Sequence, residues 1–271
     1  MDIIAETQKL QNYLKIKDFK KVVYGCEKLI KKFPNNAFLF NLLGLALHGS
    51  GNFLIAIDRY KKALDIDPNF LAAKNNLANS YKAIGDFEKA EFYYKNVLEI
   101  KPNYIQALNN YANLKTLIFD YKSAIELYNK ALKINENDTT ILFTLANSYH
   151  AIGEVKKTKE IIEKLLKINP KHISVHKLLS SITDYSKDKA NLNQMEALML
   201  EKDLSHRQIV DISFALGKAY EDLKKFENSF LYLEKANKIK KNSNNYNFKE
   251  EKNFFESIKK TFENFNFKYE K

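Results

Sequence analysis

The chain contains four prolines, and all of them stand at multiples of 34: Pro34, Pro68, Pro102 and Pro170, with only the slot at Glu136 lacking its proline. A fixed period of this length marks a repeat array, in which each unit is one supersecondary element that buries its apolar faces only against its neighbours. Beginning each unit two residues after the proline slot gives 37–70, 71–104, 105–138 and 139–172, preceded by a looser unit at 3–36.

The same chemistry recurs at the same place in the units. Their eighth position is small, at Gly44, Ala78, Ala112 and Ala146. A stop follows at Gly51, Gly85 and Gly153, with Phe119 in the odd slot. Small residues return at Ala56, Ala90 and Ala124, and large ones come next at Tyr60, Tyr94, Tyr128 and Ile162. Apolar positions spaced three, four and seven apart predict two amphipathic helices per unit. The glycine ends the first helix where a positive φ is wanted, and the proline lies beyond the second, which it cannot continue. The expected fold is all-α, a solenoid of stacked helix pairs.

Leu77, Ala78, Tyr81, Gly85, Phe87, Ala90, Tyr94 and Pro102 together resemble the signature of the tetratricopeptide repeat, a 34-residue helix-turn-helix. The first large aromatic slot holds Phe40, Lys74, Leu108 and Leu142, so the usual Trp is missing. The resemblance covers residues 3–172 as five repeats. It implies a right-handed superhelix with a concave groove lined by positions two, five, six, nine and twelve of each first helix.

Residues 173–247 are predicted to be irregular helical repeats. The register continues for one helix and breaks at the polar run Asp184 to Asn193, expected to be a loop, before a short helix from Leu192 to Lys202. A further repeat near 210–241 follows, where Gly217 and Ala236 are 19 apart, as Gly44 and Ala63 are. A polar stretch from Lys238 to Asn247 then leads to a last helix near 248–265. Its stripe of Phe254, Phe255, Ile258, Phe262 and Phe265 suggests a cap on the stack, so that 248–271 reads as capping helix and tail. Residues 214–237 are also similar to the segment that joins repeats to the catalytic domain of bacterial repeat-linked sulfotransferases. That resemblance implies an alternative, a substrate-presenting N-terminal half whose catalytic domain is absent from this chain. None of the seven glycines lies in a Gly-x-Pro-Arg-Ser-Gly loop or a Walker motif, so no phosphate cradle is visible.

The net charge of +11 invites a nucleic-acid reading, but of 44 basic residues only Arg59 and Arg207 are arginine, the side chain that grips phosphate and guanine bidentately. The excess is also spread evenly along the chain, as the compositional drift of an AT-rich genome would spread it. No nucleic-acid partner is expected. Nor does any run approach the roughly 18 to 20 apolar residues of a membrane helix, and the start shows no signal-peptide pattern. With Cys26 as its single cysteine, the chain is expected to be cytoplasmic.

Catalysis has no visible home. His172 and His176 share a helix face, but no His-Glu-x-x-His pattern and no nearby Cys accompany them, so no metal or other cofactor is expected. Cys26 occupies the slot of Tyr60, Tyr94 and Tyr128 and reads as a packing residue. The informative polar feature is asparagine on the first helices. Asn41, Asn75 and Asn109 take position five, Asn76 and Asn110 position six, and Asn79, Asn113 and Asn147 position nine. An amide donates and accepts at once, so a ladder of them suits an extended peptide backbone. The expected role is a non-catalytic scaffold that holds a protein or peptide segment against Asn75, Asn76, Asn79, Asn109, Asn110, Asn113 and Asn147. The bland alternative is that some of these amides bond across neighbouring helices. The carboxylate clamp of chaperone-tail receptors is not matched, because Asn75, Thr140 and Thr144 stand where its basic residues belong.

Overall fold

A computed structural model describes residues 3–243 and 248–263. All regular structure among these residues is helical. The chain divides into two units, the first ending at Asn169 and the second beginning at Pro170.

The first unit is five antiparallel helix pairs: α1 (Ile3–Lys15) with α2 (Phe19–Ile30), α3 (Ala37–Gly49) with α4 (Phe53–Ile66), α5 (Leu71–Ala83) with α6 (Phe87–Ile100), α7 (Ile105–Leu117) with α8 (Tyr121–Leu132), and α9 (Thr139–Ala151) with α10 (Val155–Ile168). The turn inside each pair has one residue in the left-handed region, at Lys17, Gly51, Gly85, Phe119 and Gly153, again 34 apart. Asp18, Asp86 and Asp120 then cap the second helix by accepting from the backbone N–H three residues on.

The repeat positions singled out by spacing are the core. Cys26, Tyr60, Tyr94, Tyr128 and Ile162 are all fully buried, as are the small residues Ala78, Ala112 and Ala146 against which the second helices pack. Gly44 replaces alanine where a Cβ would lie 2.5 Å from the ring of Tyr60. Successive odd helices α1, α3, α5 and α7 touch one another, whereas the even helices meet chiefly the odd helices before and after them. The odd helices therefore form the inner, shorter-radius side of this unit.

Between α6 and α7, Glu91 accepts from the Tyr111 hydroxyl (2.6 Å), from Lys95 (2.8 Å) and from Lys115 (3.1 Å). Burial alone would raise its pKa, but these three donors outweigh it and hold the carboxyl at about 2. Because the folded pKa is depressed, the stabilisation is complete above the usual carboxylate value of 4.5 and fades as pH falls toward 2. The melting-temperature gap between wild type and Glu91→Gln is expected to be widest near neutral pH and to close across that window. A gap that stays constant down to the acid limit would count against the assignment.

The second unit comprises α11 (Ile173–Ser181), α12 (Leu192–Met199), α13 (His206–Asp222), α14 (Phe226–Ser243) and α15 (Phe248–Glu263). Helices α13 and α14 form the further repeat, with Lys224 in the left-handed turn and Gly217 closely approached by Leu233. The polar run after α11 is a loop as expected, although Tyr185 and Asn191 within it are buried beside Met195. Two expectations need correction. The stretch after Lys238 continues α14 as far as Ser243, since nothing in it interrupts a helix. The capping role expected of α15 is not seen: Phe254, Phe255 and Phe262 are all more than half exposed, and Phe265 lies outside the described residues. An amphipathic stripe specifies a face and not what covers it.

Candidate binding groove

The inner side of α3, α5, α7 and α9 carries the asparagines, and the structure gives them separate tasks. Asn76 donates to the Asn41 carbonyl (2.9 Å), and Asn110 donates to that of Asn75 (3.1 Å). The amides therefore pair position five with position six of the next repeat, a step of 35 residues, and not like with like. Each pair seams two successive odd helices. Asn75 is only 5% exposed and its carbonyl is occupied, so it has no surface to offer a ligand, contrary to its assignment to the groove.

The seam runs out at α9. Thr144 stands where a position-six asparagine would complete the next pair, and its hydroxyl donates to its own helix at Thr140 and Ile141. Asn109 is left with a buried carbonyl oxygen that has no hydrogen-bond partner. Asn147 donates to the Phe143 carbonyl of its own helix at 2.8 Å.

Asn79 and Asn113 are held from the other side. Tyr94 donates its hydroxyl to Asn79 (2.5 Å), and Tyr128 donates to Asn113 (2.7 Å). The buried tyrosines of the repeat thus anchor two half-buried amides on the inner face, and what those amides have left to offer is chiefly N–H donors. The next turn, position twelve, holds His48, Lys82, Thr116 and His150, which the search for asparagines missed although their 34-residue spacing marks them equally. The His48 ring lies 2.8 Å from the Ser80 hydroxyl through Nδ1. Burial, and then the charge of Lys82, push the His48 pKa below its ordinary value, and burial pushes Lys82 down as well.

Among the described residues, no group of three or more His, Cys, Asp or Glu side chains could hold a metal ion, and no helix is long and apolar enough to cross a membrane.

Comparison with known proteins gives the architecture a family. Tetratricopeptide-repeat models match residues 39–70, 70–137, 119–182 and 210–243. The last of these includes the stretch likened to a sulfotransferase linker, which is thereby accounted for as a repeat, and nothing supports the transferase likeness. A stretch of 68 residues, 25% of this chain, is 37% identical to the peroxisomal targeting signal receptor of Saccharomyces cerevisiae, and it spans only 11% of that receptor. Among solved structures, a tetratricopeptide repeat protein from Parabacteroides merdae aligns over 90% of this chain and 94% of its own, with a TM-score of 0.62 and 20% identity. PilF of Pseudomonas aeruginosa aligns over 76% and 97%, with 0.60 and 19%. YrrB, described as a TPR protein with an unusual peptide-binding site, aligns over 76% and 96%, with 0.52 and 15%. These likenesses establish the fold. The chain is a tetratricopeptide-repeat protein.

Proposed function

We propose that the chain is a non-catalytic scaffold that holds an extended protein segment against the inner faces of α5 and α7. The observation that carries this reading is the repeated pair Asn79 and Asn113, each fixed by a buried tyrosine so that its N–H donors are held in place before a ligand arrives. An extended backbone offers carbonyls at regular spacing, and preorganised donors bind them with little loss of side-chain freedom. The peptide-binding site ascribed to YrrB and the targeting-signal recognition of the yeast receptor are in keeping with it.

Asn76 and Asn110 are poor positions for a test, because their amides seam the stack. Asn79→Asp combined with Asn113→Asp is better. Each Asp keeps an oxygen to accept from Tyr94 or Tyr128 while removing the N–H donors. Capture of a physiological partner from native lysate, quantified at raised salt to screen the added charge, is expected to fall by at least about tenfold, equivalent to roughly 1.4 kcal/mol. The melting temperature should move by only a few degrees. Undiminished capture by the double variant would rule out this groove.

A further inference from the structure

We propose that the segment held in this groove is acidic, and that one of its Asp or Glu carboxylates seats between Lys82 and His48. This rests on the groove reading above and names the chemistry of its occupant.

Of the inner helices only α1 carries an acid, Glu6 in its first turn; α3, α5, α7 and α9 contain no Asp or Glu, although the chain has 33 acidic residues. Their partners carry the acids instead, among them Asp58 and Asp65 on α4, Glu88, Glu91 and Glu99 on α6, Glu126 on α8, and Glu160 and Glu163 on α10. The inner faces of α3 to α9 therefore offer a ligand N–H donors and cations without contributing a carboxylate themselves, although Glu91 of α6 and Asp120 beyond α7 reach in to Lys115.

The cations there differ in what they already hold. Lys115 is neutralised by Glu91 at 3.1 Å and Asp120 at 3.5 Å, and Lys74 donates to the Asn96 carbonyl at 2.9 Å. Lys82 is half-buried and has no ion-pair partner among the described residues. Its ammonium has lost part of its water without gaining a carboxylate, the situation in which an incoming anion restores most. His48, one repeat earlier at the same level, is close enough for Lys82 to depress its pKa and is fixed by Ser80. Asn79 lies three residues before Lys82 on α5, one helical turn away, so its backbone-reading donors and the anion seat share a face. A phosphodiester strand is disfavoured, because the four helices carry no arginine and only two lysines without an ion pair among the described residues, Lys74 and Lys82, where a nucleic acid needs a row of cations.

The test uses the full chain and three fluorescein-labelled, C-terminally amidated peptides of equal length, with alternating Glu-Gly, Gln-Gly and Lys-Gly sequences, read by fluorescence anisotropy. The Glu-Gly probe is expected to bind about tenfold more tightly than Gln-Gly at low salt, with the margin shrinking as salt is added. Lys82→Gln should erase the margin and Lys82→Glu should turn preference toward Lys-Gly. His48→Gln should reduce the margin. Circular dichroism melts check that each variant stays folded, and Lys82→Arg, which keeps the charge, should retain the preference if Lys82→Gln proves unstable. Equal binding of Glu-Gly and Gln-Gly, with loss in Asn79→Asp/Asn113→Asp, overturns the acidic occupant and leaves the groove standing. A Glu-Gly preference that survives Lys82→Gln overturns the seat. If no probe responds to any of these substitutions, the groove reading itself falls. A single-stranded oligonucleotide that outcompetes Glu-Gly and depends on Lys82 would replace the peptide with a nucleic acid.

Discussion

Tyr94→Ala is expected to destabilise the first unit by about 3–5 kcal/mol, the range for emptying a large buried aromatic site. Tyr94 is fully buried in the cluster that runs from Ala56 to Leu145, its ring stacks on Tyr111 at 5.9 Å, and its hydroxyl anchors Asn79. The helix pair it belongs to is the third of five, so the cavity falls where the first pairs couple to the last. In a quasi-one-dimensional array a weakened central interface costs cooperativity as well as free energy. The urea transition should therefore shift to lower denaturant and also broaden, with a smaller apparent m-value. Tyr94→Phe keeps the ring and removes only the bond to Asn79, a half-buried amide that water can reach, so about 1 kcal/mol is expected. A loss below about 1 kcal/mol for the alanine variant, with an unchanged slope, would mean that Tyr94 does not hold the pairs together.

The burial on which that prediction rests was legible in the spacing, whereas the Tyr111 stacking and the bond to Asn79 were not. The period placed Cys26, Tyr60, Tyr94, Tyr128 and Ile162 in one slot, and all five are fully buried. It also placed the left-handed turn residue, and here the fold overrides local preference. Lys17, Phe119 and Lys224 adopt φ near +60° although a non-glycine residue costs about 1–2 kcal/mol there. The turn is imposed by the packing of the helices on either side, so a glycine search alone finds half of these sites.

The asparagines were legible as a pattern but not as a geometry. Composition and spacing cannot give the one-residue stagger that pairs Asn75 with Asn110, because it depends on how successive helices rotate against each other. Nor could they show that Tyr94 and Tyr128 orient Asn79 and Asn113, a contact 15 residues apart made across the turn of a repeat. Position twelve was legible as a groove position but not as a site, because its residues, His48, Lys82, Thr116 and His150, share a location and no chemistry. In the second unit, Tyr185 stood alone among Asp, Ser and Lys residues, where no periodic signal marks a side chain for burial.

His176→Leu is expected to destabilise the second unit by about 1–3 kcal/mol, chiefly from the buried Asn191 amide oxygen left without its partner, since Pro170 is exposed and its carbonyl can turn to water. His176 has no exposed surface, its Nδ1 lies 2.5 Å from Asn191 Oδ1, and its Nε2 lies 2.7 Å from the Pro170 carbonyl. Asn191 in turn donates to the Tyr185 hydroxyl at 3.2 Å, so the histidine ties the buried connection between α11 and α12 to the start of the unit. Leucine fills comparable volume, which separates the polar contribution from a cavity. Because the histidine and the asparagine act as one network, Asn191→Leu added to His176→Leu should cost less than the two single changes summed, by about 0.5–3 kcal/mol. Peptide-resolved hydrogen exchange should place the lost protection after Asn169, with the five helix pairs before it unaffected. Strict additivity of the two substitutions would show that each residue is held independently and that the buried connection owes its order to Tyr185 and Met195 packing instead.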